Sequence, residues 1–424
     1  MTGIKIEMPY GRGILTGNIP GKYKLEIMRP EKADCVDDLH RELLGALNNP
    51  IGEINLSGLH DAKKVAVVVN DTTRPVPTRQ IMNSLLEWLQ NFGITASRLV
   101  IMIGNGLHRS ATKEEIDYLL PQEIISNSTI INHDAYDRDD LEEVGYTSRG
   151  TPVVINRFYI ECDYRIVIGM IEPHQFVGFT GGAKGAVIGL SGAQTISGNH
   201  KMLIDKGACP GNIDGNPVRE EIDEIGGIIG VDLILNVVLN REKKVVKAVA
   251  GHYLEAHREG VKIANAISRV YFDAPTDLVI ASPGGYPKDA NLYQAQKALY
   301  HAEMVVEKGG TVILVARLDE GIGDNLFEEK LGQFASPKAV LEDFYSNSFK
   351  IRTHKAYLWC RTLVKARTIL VSADVKKDLL QIMKVDCVPS LQEALDMSLT
   401  SQAPGLKICL MPNALSVVPQ LRSN

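Results

Sequence analysis

The chain has 424 residues, 45% of them hydrophobic and 23% charged, which suits two or three packed domains and excludes a disordered protein. A net charge of −5 argues against a nucleic-acid or anionic-membrane partner, and no apolar run approaches the roughly 18 residues of a membrane span. The opening MTGIKIEMPYGRG lacks a signal-like apolar stretch, and the six cysteines form no CxxC pair, so a reducing, cytoplasmic setting without a zinc site is expected.

Short apolar runs alternate with helical stretches along the chain. VAVVV at 65–69 is followed by TRQIMNSLLEWLQNF at 78–92, whose apolar residues recur at helical spacing. RLVIMI at 98–103 precedes a helix opened by a capping box of Thr112 and Glu115. After RIVIGM at 165–170, VDLILNVVLN and KKVVKAVAG, joined by Arg241 and Glu242, read as an antiparallel hairpin. The helix-like EAHREGVKIANAISRV leads to YFDAPTD, and then DLVIAS at 277–282, TVILVA at 311–316 and TILVS at 368–372 resume the alternation. Unalternated runs rich in Val and Ile suit parallel strands covered on both faces. The pattern predicts an α/β fold of two domains, 1–270 and 271–424, with mostly parallel, Rossmann-like sheets and the active site in the cleft between them. The last run, GLKICLMP, could join either domain.

In open α/β sheets ligands gather beyond the carboxyl ends of the strands, so the residues after each run carry the functional signal. VAVVV is followed by Asp71, Thr72, Thr73 and Arg74; RLVIMI by GNGLHRS with His108; RIVIGM by IEPH with His174. DLVIAS is followed by PGGYPKDANLYQAQK, with Tyr293, Gln294 and Lys297 at helical spacing. Taken singly, each has a bland reading: a loop histidine, an N-cap turn at Asp71–Arg74, a surface pair at Tyr293 and Lys297. Together they predict four strand ends meeting along one sheet edge. The other histidines, His40, His60, His133, His252, His257 and His301, read as surface or structural.

EPHQFVGFTGGAKGAVIG holds one lysine, Lys184, among glycines, with His200 in the SGNHK that follows. It is not a phosphate-binding P-loop, because Ala183 and Gly185 stand where that motif needs Gly and Ser or Thr. GNGLHR is not a dinucleotide fingerprint, because Arg109 replaces the third glycine. Lys184 reads either as a solvated loop lysine or as a nucleophilic amine that small neighbours leave open to a bulky ligand. His200 reads as a helix-surface residue or a metal ligand, with the metal left open.

DTTRPVP, GNGLHRSAT, EPHQFVGFTGGAKG, SGNHK and GGYPKDANLYQAQK, in this order, resemble the nickel-pincer nucleotide racemases typified by the lactate racemase family, over essentially the whole chain. The resemblance implies a Ni(II)-pyridinium-3,5-bisthiocarboxylate mononucleotide attached covalently through Lys184, with His200 as the protein ligand to nickel. Asp71, Thr72, Thr73 and Arg74 match the loop that contacts the cofactor. His108 and His174 match the acid–base pair, while Arg74, Tyr293, Gln294 and Lys297 match groups that hold substrate. The implied activity inverts C2 of a 2-hydroxy acid by hydride transfer to and from the cofactor, in a protein that depends on cofactor-maturation proteins. His354 stands where the family carries an aromatic residue, with Trp359 further along, and Gln175 and Ala183 also depart from the pattern. A more polar wall predicts a substrate more polar than lactate, malate or a sugar acid. Two other readings compete: a nicotinamide-dependent 2-hydroxyacid dehydrogenase, and a non-catalytic cofactor-binding protein.

Overall fold

A computed structural model describes residues 3–346, 353–373, 375, 377–399 and 405–422. The chain forms two compact units, one of residues Lys32–Ile267 and one that joins Met1–Glu31 to Ser268–Asn424.

The Lys32–Ile267 unit is built on a six-stranded sheet whose order starts with Val245–Gly251, Leu233–Leu239 and Tyr164–Met170, and ends with Val65–Asn70, Leu99–Gly104 and Thr129–Asn132. All neighbours are parallel except the first pair, the antiparallel hairpin expected around Arg241. Val65 to Val69 are all buried, as a strand covered on both faces requires. The Thr78–Gln90 helix lays Ile81, Met82, Leu85 and Leu89 into the same core. The capping box of Thr112 and Glu115 opens Lys113–Leu119 as the sequence predicts.

The second unit holds another six-stranded sheet, in the order Asp386–Val388, Arg367–Val371, Val306–Val315, Thr276–Ala281, Lys407–Met411 and Lys24–Ile27, parallel throughout. The GLKICLMP run joins this sheet. The first 31 residues also belong here rather than with an N-terminal domain 1–270. Lys24–Ile27 pairs with Lys407–Met411, and the hairpin of Ile4–Tyr10 and Gly13–Ile19 lies so near the Leu391–Leu399 helix that a Cβ on Gly17 would stand 2.8 Å from Leu395. The expectation of four strand ends on one edge is corrected in part. The Val65, Leu99 and Tyr164 strands are neighbours in one sheet, whereas Thr276–Ala281 finds its partners in the other. No helix among the described residues is long and apolar enough to cross a membrane.

Each unit buries a neutral histidine in its scaffold. His257 donates from Nε2 to the Thr180 carbonyl at 2.9 Å, and His301 donates from Nδ1 to Val417 at 2.7 Å. Burial, with the Arg219 charge beside it, pushes His257 well below the usual imidazole range; burial lowers His301 to about 4. The unfolded chain binds these protons first, so the stability gained by keeping the rings neutral is intact above pH 6.5 and is lost as pH falls below it. For His301 alone the loss approaches roughly 3 kcal/mol by pH 4. Thermal melts should therefore hold level above pH 7 and drop between pH 6.5 and 4, and a midpoint that rises on acidification would contradict this.

Candidate active site

Asp71 follows the Val65 strand and His108 lies four residues past its neighbour, the Leu99 strand, the two strand ends being in register at Asn70 and Gly104. The His108 Nδ1 stands 2.7 Å from Asp71 Oδ2. Asp71 Oδ1 accepts from the backbone and the hydroxyl of Thr73, at 3.2 and 2.6 Å. Burial acts to raise the Asp71 carboxyl, but the bond to His108 and its charge, with Thr73 and Arg74, outweigh it and leave the group below the ordinary carboxylate range. An ionised Asp71 accepts, so His108 donates from Nδ1, and a neutral form of the ring would carry its lone pair on Nε2. The histidine side chain is 45% exposed and its carboxylate partner 12%, an imidazole open to a ligand but anchored beneath. The helix after this loop starts only at Thr78 and has Pro77 as its N-cap, with no side-chain cap bond, so Asp71 to Thr73 do not cap it. Thr72 donates to Glu115 at 3.1 Å, and Glu115 holds Arg109 through both oxygens, which ties the two loops together.

His174 follows the Tyr164 strand, which lies on the other side of the Val65 strand from Leu99–Gly104. At strand spacings of about 4.8 Å, the strands delivering His108 and His174 are about 10 Å apart. His174 pairs with Gly178 across a short bridge. Its Nδ1 accepts from the backbone of Val177 at 3.3 Å and of Phe176 at 3.5 Å, so the neutral ring bears its proton on Nε2. The Phe176 ring stands edge-on to His174 at 4.8 Å and to His200 at 5.0 Å, so a single phenyl ring separates the two imidazoles. His200 ends the Ala193–His200 helix, and its Nδ1 lies 3.2 Å from Asn199 Oδ1.

Lys184 is half-buried and opens the short Lys184–Gly189 helix, which packs against the Val65, Leu99 and Tyr164 strands together. The glycines around it serve a different purpose from the one expected. A Cβ on Gly181, whose φ is +87°, would stand 2.6 Å from Ile171 and 2.7 Å from Asn236 Oδ1. One on Gly185 would stand 2.6 Å from Val167. Protein atoms, not a ligand, occupy this space, and the missing side chains let the helix settle onto the strand ends. Three buried side chains hold the approach: His257 bonds the Thr180 carbonyl, Arg219 the Gly181 carbonyl at 3.1 Å, and Asn236 the Gly182 N–H at 2.8 Å. Ala183 is also buried, its methyl turned to Gly226, where a Cβ would stand 2.5 Å away.

Comparison with known proteins decides the family. The lactate racemase N-terminal domain matches residues 10–210 and the lactate racemase C-terminal domain matches 272–419. A lactate racemase from Lactiplantibacillus plantarum is 30% identical over 98% of this chain and 99% of its own. The chain belongs to the lactate racemase family. A second lactate racemase, from Thermoanaerobacterium thermosaccharolyticum, is 29% identical over 97% of this chain and 98% of its own. The structure of the lactate racemase apoprotein from that organism superposes with a TM-score of 0.91, at 28% identity, over 98% of this chain and all of that one. A crystal structure of a Thermotoga maritima protein shares the fold at 18% identity, with a TM-score of 0.68 over 92% of this chain and all of its own.

The remaining candidates of this lactate racemase family member lie in the other unit. Tyr293, Gln294 and Lys297 share the first turns of Leu292–Glu303, which Asn291 caps by accepting from the Gln294 N–H. Lys297 donates to Gln294 Oε1 at 2.5 Å. The buried Lys355 stands 5.2 Å from the Tyr293 ring centre, which sets the start of the His354–Lys365 helix beside these residues. His354 is 4% exposed. Trp359 is fully buried and donates to the Met383 carbonyl at 2.9 Å, a core residue rather than part of a ligand wall.

Among the described residues no three His, Cys, Asp or Glu side chains converge as a metal site. The His200 imidazole is a nitrogen donor of the kind that suits nickel, copper, zinc or iron. Phe176, Asn199, Asn236, Arg219 and Lys355 are not singled out by the sequence. An isolated Asn or Arg on a helix or strand carries no periodic or spacing signal, and only its tertiary partners reveal its role.

Proposed function

We propose that this protein inverts C2 of a 2-hydroxy acid with a nickel-pincer nucleotide tethered through Lys184, and that His108 and His174 carry the hydroxyl proton. Its membership of the family makes it an isomerase, a racemase that acts on hydroxy acids. One observation carries the site reading: the Lys184 helix rests on the ends of the same three strands that deliver Asp71, His108 and His174, with His200 one phenyl ring away from His174.

When bound, the cofactor supplies the capacity to take a hydride from C2 and return it, which no side chain offers. The side chains do the rest. His108, oriented by Asp71, presents an Nε2 lone pair to a hydroxyl and acts as the base. His174 presents Nε2–H, and its long bonds to Phe176 and Val177 cost little to open when Nδ1 takes a second proton, so the ring can serve as the acid on the other side. Arg74 beside Asp71 balances negative charge in this loop. Asp71, Thr72 and Thr73 would contact the cofactor, and His200 would hold the nickel. Tyr293, Gln294, Lys297 and His354 bind substrate, and an imidazole where the family carries an aromatic residue favours malate or a sugar acid over lactate. The protein works in the cytoplasm, supplied with cofactor by maturation proteins.

The test is a panel of single enantiomers given to enzyme produced beside the maturation proteins, with products separated by chiral chromatography. Expected is inversion without net oxidation, with kcat/KM for malate or a hydroxylated acid at least tenfold above that for lactate. A lactate preference removes the substrate assignment, and stoichiometric NAD reduction removes the racemase.

A further inference from the structure

His200 is held by a chain of buried polar groups outside the candidate catalytic residues. Glu221 lies fully buried on the Pro217–Ile229 helix, and its Oε1 accepts from the hydroxyls of Thr147 at 3.0 Å and Thr151 at 2.7 Å. Thr147 Oγ in turn accepts from the Thr151 N–H at 3.0 Å, which directs its own hydrogen to Glu221. Glu221 Oε2 accepts from Asn199 Nδ2 at 3.3 Å, and the Val218 carbonyl accepts from the same nitrogen at 2.9 Å.

Those two acceptors fix the Asn199 amide. A backbone carbonyl has no hydrogen to donate, so the NH2 must face Val218 and Oδ1 must face His200. An amide oxygen only accepts, so the His200 nitrogen 3.2 Å away, Nδ1, must carry the hydrogen. In a neutral ring this leaves the lone pair on Nε2. The helix is also pressed onto the loop that grips Glu221: a Cβ on Gly198 would stand 2.5 Å from Thr151 Cγ2.

We propose that Asn199, set by Glu221 and the Val218 carbonyl, is a positioning residue that locks His200 in its Nδ1–H tautomer and so keeps Nε2 as the metal donor. The proposal rests on the reading of His200 as the nickel ligand. Partners that hold the second nitrogen of a ligating histidine fix its tautomer and orientation, and losing them typically costs about 10- to 100-fold in metal affinity. The same contacts would also serve a purely structural tie between two helices, so the test must read the ring itself.

The first measurement is the tautomer of His200 by 15N NMR of histidine-labelled apoprotein, at a pH where the ring is neutral. Wild type is expected to show Nδ1–H, and Asn199→Leu to show the Nε2–H form, with His174 unchanged. The second is nickel retention by the loaded enzyme during dialysis, expected to fall at least tenfold in Asn199→Leu. Should that variant fail to fold, Glu221→Gln carries the test. Its amide can donate as well as accept, so an admixture of Nε2–H and a smaller loss of nickel are expected. An unchanged His200 tautomer, or unchanged nickel retention, in a folded variant overturns the proposal. His200→Ala separates the two readings: if it retains nickel, the ligand assignment has failed whatever the tautomer shows.

Discussion

Replacing His108 or His174 with asparagine is expected to lower kcat by about 10²- to 10⁴-fold, the range that a positioned proton donor or acceptor contributes. Asparagine keeps a polar side chain that can hydrogen-bond in the pocket but cannot take up and release a proton near neutral pH. His108 is the more telling of the two, because its base form depends on a single contact, the 2.7 Å bond to Asp71. Since a variant cannot change the equilibrium between the two forms of the substrate, kcat/KM must fall by the same factor in both directions for either variant. Chiral chromatography of each reaction, started from each pure enantiomer, measures this. A loss of less than tenfold in both variants would remove the acid–base assignment.

Lys184→Arg is expected to abolish turnover and the covalent adduct together. Arginine preserves the positive charge and most of the length, but its guanidinium is too weak a nucleophile to form the attachment. The fold should tolerate the change, because Lys184 is only half-buried and its helix is seated through Ala186, Val187 and Gly189. Intact-mass spectra of wild type and variant, both made beside the maturation proteins, provide the readout. The wild type should carry an added mass localised to Lys184, with nickel, and the variant neither. A variant that keeps the adduct and its activity would show that the tether lies elsewhere.

Both experiments concern residues that the amino-acid order alone singles out, though by different signals. His108, His174 and Asp71 each follow a continuous apolar run, and a chain alternating such runs with amphipathic helices has few ways to fold other than as parallel sheets with their loops at one end. Lys184 and His200 stand out through their motifs and a family resemblance rather than through periodicity. Less legible are the supports. Phe176 sits two residues from His174, but its contact with His200 is not written in that spacing, and Asn236, Arg219 and His257 reach the lysine loop from elements far along the chain. The glycines beside Lys184 suggest room for a ligand and instead admit protein atoms, because a sequence shows that a side chain is missing but not what fills the space.

By itself the sequence determined the α/β class, the central strands of both sheets and the hairpin around Arg241, and it singled out the candidate side chains, because hydrophobic period and residue type are local properties. The tertiary structure alone decided which strands are neighbours. It put Thr276–Ala281 in a sheet apart from the Val65 strand, and it returned the first 31 residues to the unit that ends the chain. It also set Asp71 2.7 Å from His108, a contact between two strand ends. Pairing order is set by partners brought together from different elements, as is the Asn199 amide that Val218 and Glu221 orient beside His200, and a local stretch of sequence does not say which partners will meet.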